Sequence, residues 1–513
     1  MLADGQELAI LDLREELIFS RGHLLHARSL PLSRLELSMA RLVPRRATRI
    51  VLCDEADGLA ERAAEILVRC GYANSFVLSG GVAAWAEAGF ELFSGVNVPS
   101  KAFGEFVEHA DGTPSIAAAE LERLLRARAD LVVLDSRPFD EYSRVSIPSA
   151  INVPGAELVL RVRDLAPSPA TTVVVNCAGR TRSIIGAQSL INAGVPNKIV
   201  ALRNGTMGWH LAGLSCDSGK SRRPPDVSAD ALAWAQSAAR TVAHRFQVQQ
   251  IDRETLERWR AQAEERSLYI FDMRDPAEYE AGHVSGAVSA PGGQLVQATD
   301  QYIGTLGARV VLVDDKEVCA VMTASWLRQM GWDAFVLVAA GTETGWPAPE
   351  VLGLDDRPER RIDVPELAAL LARDAATIVD LSLSRDYRKA HVPGAWFAIR
   401  SRLARALAAI PLRGPLVLTS EDGALAGLAA PEASALTDLP VRCLAGGNAA
   451  WQAAGHMLTS DQPRMADEPV DLWLKPYERP AGATDAMSEY LAWETDLLPR
   501  IARDGSADFR KFR

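Results

Sequence analysis

One unit is written four times along this chain, and that repetition narrows the possible folds more than any single residue does. Each copy opens on an apolar run ending in Asp. The runs are Ile10-Leu11-Asp12-Leu13-Arg14 with Gly22-His23, Val133-Leu134-Asp135-Ser136-Arg137 with Glu141-Tyr142, Ile270-Phe271-Asp272-Met273-Arg274 with Gly282-His283, and Ile378-Val379-Asp380-Leu381-Ser382 with His391-Val392-Pro393-Gly394. A second apolar run follows at a nearly fixed distance: 42 residues on from Asp12, Asp135 and Asp272 stand Asp54, Cys177 and Asp314, and 40 on from Asp380 stands Ser420. Each copy closes on a glycine turn and a Trp: Gly80-Gly81 with Trp85, Gly205 with Trp209, Gly341 with Trp346, Gly446-Gly447 with Trp451. Short apolar runs alternating with helical stretches predict an α/β fold. Each unit should be a parallel sheet with helices on both faces, its functional loops at the carboxyl ends of the strands.

The chain of 513 residues, 48% hydrophobic, is too long for one domain and has ample material for several cores. The repeat predicts module 1 over 1–98, module 2 over 112–215, a linker and helix over 216–246, module 3 over 247–348, module 4 over 360–458 and a tail over 459–513. Residues 216–228 read as linker by their Pro and polar content, and a helix is expected from about 229 to 246. Arg357 to Arg361 form a charged junction before module 4. Little chain precedes Ile10, so the opening strand of module 1 is expected to be missing or supplied elsewhere. The tail carries Trp473, Tyr477 and Pro480, then a helical spacing of Met487, Tyr490, Leu491, Leu497 and Ile501 that Pro499 must kink or split. It reads as a strap on the repeats.

A net charge of −11 argues against nucleic acid or an anionic membrane as main partner. No apolar stretch approaches a bilayer span and the first residues lack a basic start and apolar run, so a cytoplasmic protein is expected. The six cysteines show no C-x-x-C pair and no metal-ligand spacing, and no cofactor or metal is expected.

One cysteine stands apart. Thr172 to Val175 suits a buried parallel strand, and Ser183 followed by Ile184, Ala187, Leu190 and Ile191 reads as an N-cap and helical stripe stopped at Gly194. Cys177 opens the loop between them. A free thiol titrates near ~8.5, and a helix start with nearby guanidinium groups lowers that value, so Cys177 is expected to be a thiolate nucleophile beside Arg180 and Arg182. Gly179 lets backbone approach a ligand. Cys53 precedes the acidic stretch Asp54 to Asp57, which would raise its pKa; Cys70, Cys319 and Cys443 read as core and Cys216 as a surface thiol. Arg137 reads first as an ion-pair partner at a strand end, with Glu141 as its mate, and second as a residue orienting an anionic donor. Gly219-Lys220-Ser221 lacks the earlier Gly of a phosphate loop, because Leu214 stands there.

The stretch from Cys177 to Ser183 resembles the active-site loop of the rhodanese family of sulfurtransferases, where Cys is followed five residues on by Arg and then Ser, here Arg182 and Ser183. The family's Gly three places after the Cys is Arg180 here, with Gly179 one place earlier. Related phosphatases of the same fold place Arg six after the Cys, a position held by Ser183, so the loop is sized for sulfur. The resemblance covers residues 1–458 and implies tandem rhodanese-like domains, with persulfide chemistry only in module 2, since Asp54, Asp314 and Ser420 cannot form one. It implies ping-pong transfer of a sulfane sulfur from thiosulfate, or a similar persulfide donor, through Cys177 to cyanide or a thiol acceptor. Ala178, Gly179, Arg180, Thr181, Arg182 and Ser183 would bind the substrate, with Arg137 in support. Two loop cations favour thiosulfate over mercaptopyruvate. The alternative, motivated by three modules without the cysteine, is a sulfur carrier or interaction platform with a protein donor or acceptor.

Overall fold

The computed structural model describes residues 1–354, 357 and 360–512. Among these residues four sheets of mainly parallel strands, flanked by helices, follow one plan. The sheet that carries Cys177 runs Ser115–Ile116, Ile199–Leu202, Thr172–Asn176, Leu131–Asp135, Ile151–Asn152 in spatial order, every pair parallel. The third repeat gives Gln249–Gln250, Asp333–Leu337, Arg309–Val313, Leu268–Asp272, Val288–Ser289 in the same order. In the fourth, Arg361–Ile362, Val441–Leu444, Leu416–Thr419, Thr377–Asp380 and Trp396–Phe397 are joined by a sixth strand, Arg464–Met465. That strand comes from the stretch read as the tail and has no counterpart in the sheets of the second and third repeats. In the first repeat Ser75–Val77 is bonded to Arg49–Cys53 and has no strand on its other side among the described residues, the side filled in the other three repeats by a short opening strand. The stretch 357–361 falls partly outside the described residues.

The recurring residues have a structural cause. The Asp that ends this strand is buried in every repeat, and in three of them it holds the Arg two places on by a forked pair: Asp12 with Arg14, Asp135 with Arg137, Asp272 with Arg274. The same Arg donates to a carbonyl at the corner, Gly22, Val145 or Gly282. In the fourth repeat Ser382 stands in the Arg position, and Asp380 accepts instead from the Ser382 amide and Asn448. Tyr142, Tyr279 and Tyr387 pin the following turn by donating to Ala150, Ala287 and Ala395. His283 and His391 are buried and bonded to the carbonyls of Tyr279 and Tyr387.

The chain divides into two compact units that do not follow sequence order. One holds 1–9, 97–347 and 474–513, and the other 10–96 and 348–473. The first unit thus unites the second and third sheets with the tail. Its apolar core is continuous across both sheets, through Phe103, Leu158, Leu190, Ala235, Phe246, Leu295 and Trp326. The expected helix after the linker is present as Ala229–Arg245, capped by the Ser228 hydroxyl. Within the other unit, Arg400 is buried with forked bonds to Glu36 at 2.7 and 2.8 Å and a further contact to Glu432. The helical tail is split into Ala483–Thr495 and Leu497–Asp504, with Pro499 in the first turn of the second helix, where its missing N–H costs nothing. A helix over Val98–Asp111, not anticipated in the stretch between modules 1 and 2, packs on the helix that follows Cys177. No helix among the described residues is long and apolar enough to cross a membrane.

Candidate active site

The strand Thr172–Asn176 is buried from Val173 onward and delivers Cys177 to the carboxyl edge of its sheet. The helix Thr181–Asn192 begins four residues later, and Gly194, at φ +73°, ends it as expected. Its cap position is Arg180, one turn earlier than the expected Ser183. Ser183 lies inside the first turn, where its hydroxyl donates to the Arg180 carbonyl at 2.8 Å and faces the Cys177 Sγ at 3.5 Å. A third element closes the loop from beneath. The helix Gly205–Leu211 donates its first amides, Thr206 N and Met207 N, to the carbonyls of Cys177 and Ala178. The Ser183 and Ile184 amides both donate to the Arg180 carbonyl, so the N–H groups from Ala178 to Arg182 are the ones that the loop and the helix start leave available to an anion.

Around this loop stand four cations and four carboxylates. Arg182, buried, donates to Glu141 Oε2 at 2.8 Å and to Gln294 Oε1 at 2.9 Å, while its Nε has no partner. Glu141 also accepts from Lys475 of the tail at 3.1 Å. Burial would raise the Glu141 carboxyl, but the charges of Arg182 and Lys475 outweigh it and hold the group well below the usual carboxylate range. Arg180 turns to the helix Val98–Asp111, where Glu105 accepts at 2.6 and 2.7 Å and Glu108 and Asn204 complete its shell. Lys101, from the same helix, is buried 3.5 Å from Glu494 Oε1. Burial lowers the Lys101 ammonium, an effect that Glu494 only partly offsets. Lys101 and Arg182 both interact electrostatically with Cys177.

The expected residues therefore separate into two groups. Cys177, Ala178, Gly179, Thr181, Arg182 and Ser183 are gathered in the loop. Arg180 belongs to the loop by backbone, yet its charge is spent on Glu105 and Glu108. Arg137 is fixed by Asp135 and the Val145 carbonyl as in the other repeats, and Glu141, its expected mate, pairs with Arg182. These geometries turn the guanidinium groups of Arg137 and Arg180, both expected among the substrate ligands, to carboxylates of the protein itself. Lys101, Gln294, Lys475, Tyr490 and Glu494 were not anticipated. The first could have been found from Val98-Pro99, a helix start, followed by Phe103 and Val107 at helical spacing. For the tail residues the sequence carries no comparable signal.

The loops lacking cysteine are filled from within. In the third repeat the Asp314 carboxylate accepts from the amides of Lys316, Cys319 and Ala320 at 2.9, 2.7 and 3.3 Å. Asp54 accepts likewise from Ala56 and Ala60 at 2.9 and 3.0 Å, and Ser420 Oγ from Ala426 at 3.4 Å. An aspartate here supplies the anion that such a ring of amides would otherwise take from solution. Burial pushes the Asp314 carboxyl up to about 6 despite those bonds, and in the first repeat it pushes the thiol of Cys53, adjacent to Asp54, far up.

A family model for the rhodanese-like domain matches residues 1–88, 117–212 and 253–347. A crystal structure of thiosulfate sulfurtransferase from Pseudomonas aeruginosa superposes with a TM-score of 0.97 at 46% identity, covering 100% of this chain and 98% of that one. An HTH-type transcriptional regulator of Mycobacterium tuberculosis is 33% identical over 109 residues, which is 21% of this chain and 47% of that protein, so the match spans about half the relative's length.

Proposed function

This chain belongs to the rhodanese-like domain family, and from that premise we propose that it is a sulfurtransferase carrying a sulfane sulfur on Cys177. The carrying observation is the single cysteine-bearing loop: Cys177 at a strand end, Arg182 buried beside it with a free Nε, and a helix start contributing amides. In the first half-reaction the Cys177 thiolate attacks the outer sulfur of thiosulfate. The sulfur–sulfur bond of the donor breaks, sulfite leaves with the bonding pair, and Cys177 is left as a persulfide. Arg182, Lys101 and the amides from Ala178 to Arg182 stabilise the charge on the departing sulfite and on the persulfide. A nucleophilic acceptor then removes the outer sulfur and restores the thiolate, giving ping-pong kinetics. Thiosulfate as donor is supported by the likeness to the Pseudomonas aeruginosa enzyme and by a loop one residue too short for the phosphatase arrangement.

The test is intact mass after incubation with thiosulfate, for wild type and Cys177→Ser, followed by cyanide. A gain of one sulfur on the wild type alone, discharged as thiocyanate, is expected. No uptake from thiosulfate would remove that donor and favour a relay from a protein persulfide, the platform role in which the self-filled modules serve as scaffold.

A further inference from the structure

Two buried polar atoms at the Cys177 loop have no partner, and they are of opposite kind. One is the Arg182 Nε donor, and the other is the Glu494 Oε2 acceptor. Glu494 is 0% exposed, on the tail helix Ala483–Thr495. Its other oxygen is fully engaged: Oε1 accepts from Tyr490 Oη at 3.2 Å and Thr181 Oγ1 at 3.3 Å, and lies 3.5 Å from Lys101 Nζ. Oε2 faces the loop, since a Cβ built on Gly179 would come within 3.2 Å of it. An unmatched buried donor or acceptor costs on the order of 1–3 kcal/mol, so a site holding one of each is complementary to a ligand that brings both functions. Thiosulfate and cyanide offer acceptors only. A thiol offers S–H as a donor.

We propose that Glu494 is the general base of the second half-reaction, taking the proton of a small thiol that is the acceptor of the sulfur. The inference rests on the persulfide reading of Cys177 and names the acceptor class for the same site. The step balances without a further reactant. As the thiol R–SH gives its proton to Glu494 Oε2, its sulfur attacks the outer sulfur of the Cys177 persulfide anion. A new R–S–S bond forms, the bond to Sγ breaks, and Cys177 leaves as thiolate. Glu494 returns the proton to the product, which departs as R–S–SH. Cyanide needs no such base. The acceptor is small because Cys177 is only 2% exposed beneath the tail. The charged and titratable groups facing Glu494 are Lys101 and Glu105 of the helix Val98–Asp111, Arg180 of the loop, and Tyr490 one turn earlier on its own helix.

The experiment loads the full-length protein with thiosulfate, verifies the added sulfur by mass, and then measures single-turnover discharge by 2-mercaptoethanol and by cyanide across pH. A general base contributes roughly 10²–10⁴-fold, so Glu494→Gln is expected to lower the ratio of thiol to cyanide discharge at least about tenfold. Its thiol rate should also follow the ionised fraction of 2-mercaptoethanol with pH, where the wild type is flatter. An unchanged ratio, or an unchanged pH profile, overturns the proposal. If Glu494→Gln does not load, Tyr490→Phe decides: removing one bond to Oε1 should lower the ratio about two- to fivefold by misaligning the base, and an unchanged ratio overturns the proposal. A wild type that takes up no sulfur from thiosulfate removes that donor, and loading is then repeated with inorganic polysulfide; no uptake from either overturns the Cys177 reading and this inference with it.

Discussion

Gly205 is where the cysteine loop meets a second backbone. At φ +55° a side chain there is strained, and a Cβ would lie 2.3 Å from the Cys177 carbonyl oxygen and 2.7 Å from that of Gly179. Gly81 and Gly447 stand in the same relation to Asp54 and Ser420, at 2.5 and 2.2 Å, so the requirement belongs to the repeat and not to catalysis. Gly205→Ala should therefore cost about 2–4 kcal/mol, the sum of overpacking and a left-handed non-glycine residue, and should displace the loop. The check is the urea midpoint together with sulfur uptake, and an unshifted midpoint with normal uptake would refute it. Glu15, in the other unit, gives a pH signature. Burial, only partly offset by bonds from Ser401 and Ser33, raises its carboxyl to about 7. A raised native pKa means the folded state holds the proton longer, so the contribution is fully present below about pH 4.3, the unfolded value, and is lost as pH rises through 7. Between pH 5 and 8 the urea midpoint of wild type should fall relative to that of Glu15→Gln, and parallel pH profiles would sink the assignment. At this scale much was legible in advance: the spacing isolated Cys177 and Arg182. Arg137 was legible as an ion-pair partner at a strand end, though its mate is Asp135 and not Glu141; the role of Arg180 was not legible, because a guanidinium's direction depends on which carboxylate the fold brings near it. Glu105 and Glu108 belong to a helix, and Asp135 to a strand end, that the loop's own sequence does not mention.

Two elements outside the repeat finish the site. The helix Val98–Asp111 brings Lys101 and Glu105, and the tail helix Ala483–Thr495 brings Glu494 and Tyr490. A repeat search finds what recurs, and these segments do not recur, which is why the strap was legible as a helix but not as a wall of the active site. The strap is held over the loop by a small apolar cluster of Met207, Met487 and Leu491, with Tyr477 and Tyr490 against it. So small a cluster is expected to open locally more easily than the main core. Leu491→Ala should remove about 2 kcal/mol from this contact, at the low end for a buried leucine beside tyrosines that can settle inward. The measurable consequence is access: alkylation of Cys177 by iodoacetamide should accelerate at least about tenfold while the global urea midpoint moves little, the pattern of sub-global opening. Equal alkylation rates would mean that the strap does not gate the thiol.

At the scale of the whole molecule, four similar modules do not behave as four equal beads. The second and third share one core with the tail, while the first and fourth form the other unit from segments 10–96 and 348–473, far apart in sequence. Repetition in the sequence announced the four sheets but not this pairing, because the pairing is encoded at the surfaces where one copy departs from the next. Arg400 is such a departure. It is buried, and it bridges Glu36 of the first repeat and Glu432 of the fourth, so the two segments of that unit meet across a charged pair in apolar surroundings. Breaking such a buried pair by removing one partner costs about 3–5 kcal/mol, since here both Glu36 and Glu432 are left without their counter-charge. Arg400→Met should thus lower the stability of the unit formed by 10–96 and 348–473 by that amount and leave the core around Cys177 intact. Urea unfolding should become visibly biphasic, a departure from two-state behaviour expected when one unit of a multi-domain chain is selectively weakened. Sulfur uptake by Cys177, followed by mass across the same titration, should survive the first transition and vanish in the second. Loss of uptake in the first transition would show that the cysteine's unit depends on the other for its fold, and the separation of scaffold from sulfur chemistry would have to be abandoned.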